Sequence, residues 1–274
     1  MRIAVLTSSR ADFGIYLPLL KALKADDFFD LKIIVFGTHL SSFHGYTLHQ
    51  IEKEGFVADY QIDSMLLSDT KEAISSAMGL TMIKFAAFWK DHAADFDFVF
   101  CLGDRYEMFA AVLSALPFSI KFAHLHGGEK TMGAIDNVFR HAISHASNLH
   151  FTSTEEYKEK ILSLVDDAKN VENVGALSLD NILQIPLLSN VEFQQKWGID
   201  LNHPTALVTF HPETVNADKN TFYASELVNV IKNNPDLQFL ITMPNADTAG
   251  NIIRNAFVKE LSAINSVFLI ENLG

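Results

Sequence analysis

Short apolar runs with almost no polar alternation recur along the first half of the chain, and each is followed by a longer stretch of helical spacing. The runs fall at residues 3–7, 31–36, 98–102, 122–126 and 149–152, rich in Val, Ile, Leu and Phe. Strands of this kind are buried on both faces, as in a parallel sheet covered by helices on either side. Helical segments are expected at residues 14–25, 47–54, 69–92, 106–116, 136–147 and 154–164. Strand–helix alternation of this sort builds right-handed βαβ units and a doubly wound α/β domain.

A last short strand with a turn is expected at 174–178, then a connection with a helical piece to about residue 202. A second strand–helix series follows: strand 206–210, helix 220–233, strand 238–242, helix 248–261 and strand 267–270. The boundary is placed near Asp180, giving domains 1–180 and 181–274. Three strands make only a partial sheet, so the second domain is expected to be incomplete. Such a length, 274 residues, accommodates two ordinary domains.

The formal net charge is −12, which disfavours nonspecific binding to nucleic acid or an anionic membrane. An acidic protein that binds an acidic ligand needs local donors, such as an arginine and a helix N-terminus. The single cysteine, Cys101, lies in an apolar run and reads as a buried small hydrophobe. No signal-peptide pattern opens the chain and no apolar run is long enough for a bilayer, so a cytoplasmic protein is expected.

In an open parallel sheet, ligands bind at the carboxyl ends of the strands. The polar residues that follow each strand are therefore the candidates. Ser8-Ser9-Arg10-Ala11-Asp12-Phe13-Gly14 follows the first strand. Its N–H groups and Arg10 suit phosphate; equally, Asp12 caps the helix and Arg10 pairs with it on the surface. The segment is neither GxGxxG nor a P-loop, which removes a dinucleotide or ATP mechanism. Gly37, Thr38, His39 and Ser41 follow the second strand.

Asp104, after Gly103, stands where a carboxylate acts as a base or caps the next helix, and Arg105 pairs with a ligand or a neighbouring carboxylate. His124-Leu125-His126-Gly127-Gly128-Glu129 holds Glu129 at the crevice mouth. Its two histidines share a strand face, where ordinary packing is preferred to metal binding. Asp136 and Arg140 are four apart on one helix, as a simple ion pair or as two groups facing the crevice. His141 and His145 have the same spacing but no HExxH pattern, and a structural role is preferred. In the second series, His211 and Glu213 follow one strand and Asn245 and Asp247 another. His211 suits a phosphate or a leaving group, although a lone strand-end histidine is more often incidental.

In order along the chain, these segments resemble the UDP-N-acetylglucosamine 2-epimerases. The stretches are Ser8 to Gly14, Gly37-Thr38-His39-Leu40-Ser41, Ile51-Glu52-Lys53-Glu54-Gly55-Phe56, Leu102-Gly103-Asp104-Arg105-Tyr106-Glu107-Met108, His124 to Glu129, Gly133-Ala134-Ile135-Asp136, Arg140-His141-Ala142-Ile143, Asn173-Val174-Gly175-Ala176 and Thr209-Phe210-His211-Pro212-Glu213. The resemblance implies two Rossmann-like domains of GT-B type. It implies that Asp104, Glu129 and Asp136 are the carboxylates of the chemistry. It also implies that Arg10 and Asp12 bind a UDP-sugar, with Arg140 and His211 nearby; His39 is grouped with these binding residues.

Asp where the non-hydrolysing branch usually has Glu, and His-Pro-Glu-Thr at 211–214, favour the hydrolysing branch. That branch converts UDP-N-acetylglucosamine to UDP and N-acetylmannosamine through a glycal. The alternatives are a non-hydrolysing 2-epimerase and a non-catalytic nucleotide-sugar-binding fragment. No cofactor or metal is expected. The expected partners are the UDP-sugar and UDP, with neither nucleic acid nor membrane, in a homo-oligomer of two or four chains. The family's later serine-rich diphosphate motif is absent from the sequence, which leaves activity of the chain open.

Overall fold

Each apolar strand has two greasy faces, and burying both takes helices on both sides of one sheet. In the computed structural model this is how the first unit is built. The structure describes residues 1–166, 168–184, 186–244, 250–271 and 273. Expected candidates Asn245 and Asp247 lie outside the described residues, as does the beginning expected for the helix at 248.

The chain divides into two compact units, residues 1–68 with 72–185, and residues 69–71 with 186–274. In order, the elements reaching residue 184 are β1 (Arg2–Thr7), α1 (Arg10–Ala25), β2 (Asp30–Phe36), α2 (Leu48–Lys53), β3 (Tyr60–Ile62), α3 (Lys71–His92), β4 (Phe98–Leu102), α4 (Tyr106–Ser114), β5 (Phe122–Leu125), α5 (Asp136–His145), β6 (Leu149–Thr152), α6 (Glu155–Leu162), β7 (Val171–Asn173) and α7 (Leu177–Gln184). The seven strands form one parallel sheet in the order β3-β2-β1-β4-β5-β6-β7. The order reverses direction beside β1, at the β1/β4 pair, where doubly wound sheets open a crevice.

Strand alternation sorts the core into two layers. Ala4 and Leu6 of β1, with Val99 and Cys101 of β4, pack against Phe85 and Trp89 of α3 and Met108 and Val112 of α4. Ile3 and Val5 of β1 face the other way, toward Phe13, Tyr16 and Leu20 of α1 and Leu48 and Ile51 of α2. Cys101 is fully buried, as expected, and burial pushes its thiol up to about 12.

Two local expectations are corrected. The helix expected from residue 14 begins at Arg10, because Ser9 caps it and Asp12 closes a capping box with Ser9. The strand expected at 174–178 is instead β7, three residues earlier; Gly175 has φ of 80°, where a strand does not continue. The edge strand β3 was not expected at all. Helix α7 remains with the first unit, where Asn181 Nδ2 donates to the Gly14 carbonyl at 2.7 Å.

The second unit contains α8 (Asn190–Trp197), β8 (Thr205–Thr209), α9 (Asn220–Lys232), β9 (Gln238–Thr242), α10 (Gly250–Leu261) and β10 (Val267–Ile270). Its three strands are parallel in the order β10-β9-β8. Val228, Ile231, Ile253, Phe257 and Leu261 cover one face over Phe239 and Ile241. No helix among the described residues is long and apolar enough to cross a membrane.

Candidate functional site

The turn after β1 is organised by one buried carboxylate. Asp12 accepts hydrogen bonds from Ser8 N at 2.8 Å, Ser9 N at 3.0 Å, Ser8 Oγ at 2.8 Å and Thr7 Oγ1 at 2.7 Å. Burial would raise its pKa, but bonding and charge from His39, with Thr7 and Ser8, hold it below the ordinary value. His39 is fully buried; its Nε2 meets Thr7 Oγ1 at 2.9 Å and its Nδ1 meets Thr47 Oγ1 at 2.8 Å. Both residues thus shape the turn that carries Arg10. Gly37 has φ of 61°, and a Cβ there would stand 2.6 Å from the Ser8 carbonyl oxygen, so only glycine lets β2 exit this close.

Arg10 opens the 16-residue helix α1 and does not pair with Asp12. Its guanidinium is half-buried, has no ion-pair partner among the described residues, and burial lowers its pKa. An unpaired cation at the first turn of a long helix, beside the carboxyl end of β1, is suited to an anionic group.

Two further strand ends converge on Arg140, which α5 carries inward and leaves only 6% exposed. The guanidinium makes a close ion pair with Asp104, from the turn after β4, and lies 3.7 Å from Glu129 Oε2, from the turn after β5. Asp104 therefore does not cap α4; the residue at the cap position is Arg105, and no side chain caps that helix. Arg105 pairs with Glu107 at 2.9 Å, a neighbouring carboxylate. Asp136 begins α5 one turn before Arg140 and is partly buried. Helical spacing puts it on the same face as Arg140.

The two carboxylates gathered by Arg140 have opposite proton affinities. Burial pushes Asp104 up, and the charges of Arg140 and Arg105 offset this only in part. For Glu129 the burial effect is outweighed by hydrogen bonds from His126 and Ser153, with the Arg140 charge adding to them, so it sits below the ordinary value. Environments that drive a carboxylate pair apart mark an acid and a base.

Ser153 is not singled out by the sequence, and for His126 the sequence favours ordinary packing. Ser153, after β6, donates to Glu129 Oε1 at 2.6 Å. His126 Nδ1 lies 2.7 Å from the same oxygen; an ionised carboxylate only accepts, so Nδ1 carries the proton. His126 holds φ of 61°, an uncommon conformation for a residue with a side chain that costs on the order of 1 kcal/mol. This ends β5 at Leu125 and turns the ring toward Glu129. Gly128, φ 82°, passes so near α6 that a Cβ would fall 2.5 Å from the Tyr157 carbonyl oxygen.

The neighbouring His124 has another job. It is fully buried, Nε2 donates to the Gly103 carbonyl at 2.9 Å, and Nδ1 lies 3.0 Å from Ser144 Oγ. Burial lowers its pKa to about 3, so the ring is neutral and pins the turn that bears Asp104. With both nitrogens occupied, His124 is not available to a metal.

In the second unit, His211 is exposed in the segment after β8. Fully buried Asn220 fixes that segment: its Oδ1 accepts from Glu213 N and its Nδ2 donates to the Glu213 carbonyl, both at 2.9 Å. The sequence signal for this clamp is a polar residue at the start of α9, which reads only as a helix end.

Fold and site together define a protein of two parallel-sheet α/β units, with two carboxylates gathered on one buried arginine at the strand ends of the first. The chain belongs to the UDP-N-acetylglucosamine 2-epimerase family, whose model matches residues 21–274. It is 34% identical over 256 residues to the polysialic acid biosynthesis protein P7 of Escherichia coli, covering 92% of this chain and 64% of that protein. It is 32% identical to the UDP-N,N'-diacetylbacillosamine 2-epimerase (hydrolyzing) of Legionella pneumophila, covering 92% and 66% respectively. The chain thus spans a little under two thirds of these relatives' length. The fold is similar to that of the Neisseria meningitidis UDP-GlcNAc 2-epimerase bound to UDP-GlcNAc, with a TM-score of 0.78 at 19% identity over all of this chain and 73% of that one.

Proposed function

We propose that this chain carries the nucleotide-sugar chemistry of a hydrolysing 2-epimerase, which converts UDP-N-acetylglucosamine or a related UDP-2-acetamido sugar to UDP and the 2-epimeric free sugar. The observation that carries this reading is the convergence of Asp104 and Glu129 on Arg140 with their proton affinities driven in opposite directions. Epimerisation at C2 needs a proton removed from one side and returned on the other. A C2 hydrogen becomes acidic only as C1 gains oxocarbenium character through loss of UDP. Elimination gives a glycal; water then adds at C1 and a proton at C2. Asp104, whose pKa burial raises, suits the acid, and Glu129, held below the ordinary value, belongs to the basic side. Asp136, one turn from Arg140, is assigned to the same ring.

Arg10 and the N-terminus of α1 take the diphosphate, and Asp12 and His39 shape the turn that presents them. Arg140 keeps the carboxylates in place, and His211 is a diphosphate-binding residue of the second unit. The name of the Legionella relative supports the hydrolysing branch, and that of the Escherichia coli relative supports a role in sialic acid biosynthesis. A cytoplasmic homo-oligomer of two or four chains, needing no cofactor, completes the proposal. The test is product analysis with UDP-N-acetylglucosamine. Free UDP and N-acetylmannosamine accumulating in equal amounts is the expected result; UDP retained on the epimerised sugar would assign the non-hydrolysing reaction instead.

A further inference from the structure

Glu129 is poorly placed to take a proton itself. Its Oε1 already accepts from His126 and Ser153, and its Oε2 faces the Arg140 guanidinium. The group it orients is better placed. His126 donates its Nδ1–H to Glu129, so in the neutral ring Nε2 carries the lone pair. That Nε2 is buried and has no hydrogen-bond partner among the described residues. A buried nitrogen without a partner is rare and calls for a reason. Its ring is held there by an uncommon left-handed backbone, and such conformations cluster where function demands them.

We infer that His126 is a catalytic residue, the base that takes the C2 proton through Nε2, with Glu129 as the carboxylate that orients it. The inference rests on the epimerase reading above. A histidine whose far nitrogen is bonded to a carboxylate is a recurring base arrangement: the carboxylate fixes the tautomer and stabilises the imidazolium that forms. Nε2 takes hydrogen from C2, the C2–H electron pair becomes the C1–C2 double bond, and the C1–O bond breaks so that UDP leaves with its electrons. Water then adds its oxygen to C1. Asp104 gives its proton to C2 from the other side and is reprotonated by the proton water loses. The proton on His126 returns to solvent, so the balance is UDP-sugar plus water to UDP, free sugar and one proton.

The test compares the protein with His126→Asn on two substrates. Asparagine tolerates the left-handed backbone, and its amide N–H takes the place of Nδ1–H toward Glu129, so the turn is retained while Nε2 is lost. With UDP-N-acetylglucosamine, the variant is expected to release UDP about 10²- to 10⁴-fold more slowly, the usual worth of a general base, with KM within about threefold. With 2-acetamidoglucal supplied directly, hydration uses Asp104 and falls by less than about tenfold. A variant within tenfold of the unaltered protein in UDP release overturns the assignment. So does a variant that loses both steps equally, because a collapsed turn would do that. Failure of the unaltered protein to release UDP overturns the epimerase reading itself, and it is seen without any variant.

Discussion

Arg140→Met removes the cation that two partly buried carboxylates share while filling a similar volume. Two unit charges about 4 Å apart attract by about 4 kcal/mol at an effective dielectric constant near 20. The Asp104 and Glu129 side chains keep 21% and 26% exposure, so water recovers part of that loss. The cost at pH 7.5 is therefore about 3 kcal/mol, the low end for breaking a buried pair. The pH dependence gives the sharper check. Asp104 already has a raised pKa, and without Arg140 it rises further beside the like charge of Glu129. A carboxyl raised in the folded state adds stability at low pH that is lost as pH climbs through its folded value. The deficit of the variant should accordingly shrink by about 1 kcal/mol or more between pH 7.5 and pH 5.5. Urea unfolding of both proteins at the two pH values measures it. A variant within about 0.5 kcal/mol of the parent at pH 7.5, or a deficit that grows on acidification, refutes the shared-cation account.

His124 predicts the opposite slope. Its pKa falls from 6.5 to about 3 on folding, so its contribution is complete above 6.5 and is lost as pH drops below that; the loss is about 2 kcal/mol by pH 5. His124→Gln should be less stable than the parent at pH 8, with the gap narrowing by about that amount at pH 5, as urea unfolding would report. Arg10→Ala should weaken UDP binding by about tenfold or more in calorimetry and change stability by less than about 0.5 kcal/mol, because no carboxylate among the described residues pairs with it. Asp12→Ala should instead cost about 2 kcal/mol or more of stability, since it strands the buried donors of Thr7, Ser8 and Ser9.

Parallel strands buried on both faces announce themselves, and this is why β1, β2, β4, β5 and β6 were legible from composition alone. Gln238–Thr242 and Val267–Ile270 were legible to the residue for the same reason. Strands β3 and β7 were not: each has three residues with polar members, Gln61 in one and Glu172 and Asn173 in the other, and sheet pairing alone makes them strands. The start of α1 was readable in principle, since Ser9-x-x-Asp12 is a capping-box spacing.

The site was legible as a set of residues at strand ends, and much less as a set of partners. Arg140 shares a helix face with Asp136, the only partner that spacing could suggest, yet its recorded ion pairs are with Asp104 and Glu129. Sequence distance hides such pairings because they depend on which turns the sheet order brings side by side. His126 was hidden for another reason: its importance lies in a backbone angle and an unsatisfied nitrogen, and neither has a sequence signature.

The central claim is that a proton leaves C2 and another arrives there from solvent while UDP is cleaved from C1. Proton NMR of UDP-N-acetylglucosamine incubated with the protein in heavy water follows all of this at once. The account predicts free N-acetylmannosamine carrying deuterium at C2, appearing in step with UDP. N-acetylmannosamine that keeps its original C2 hydrogen, or UDP released alongside unepimerised sugar, would contradict it.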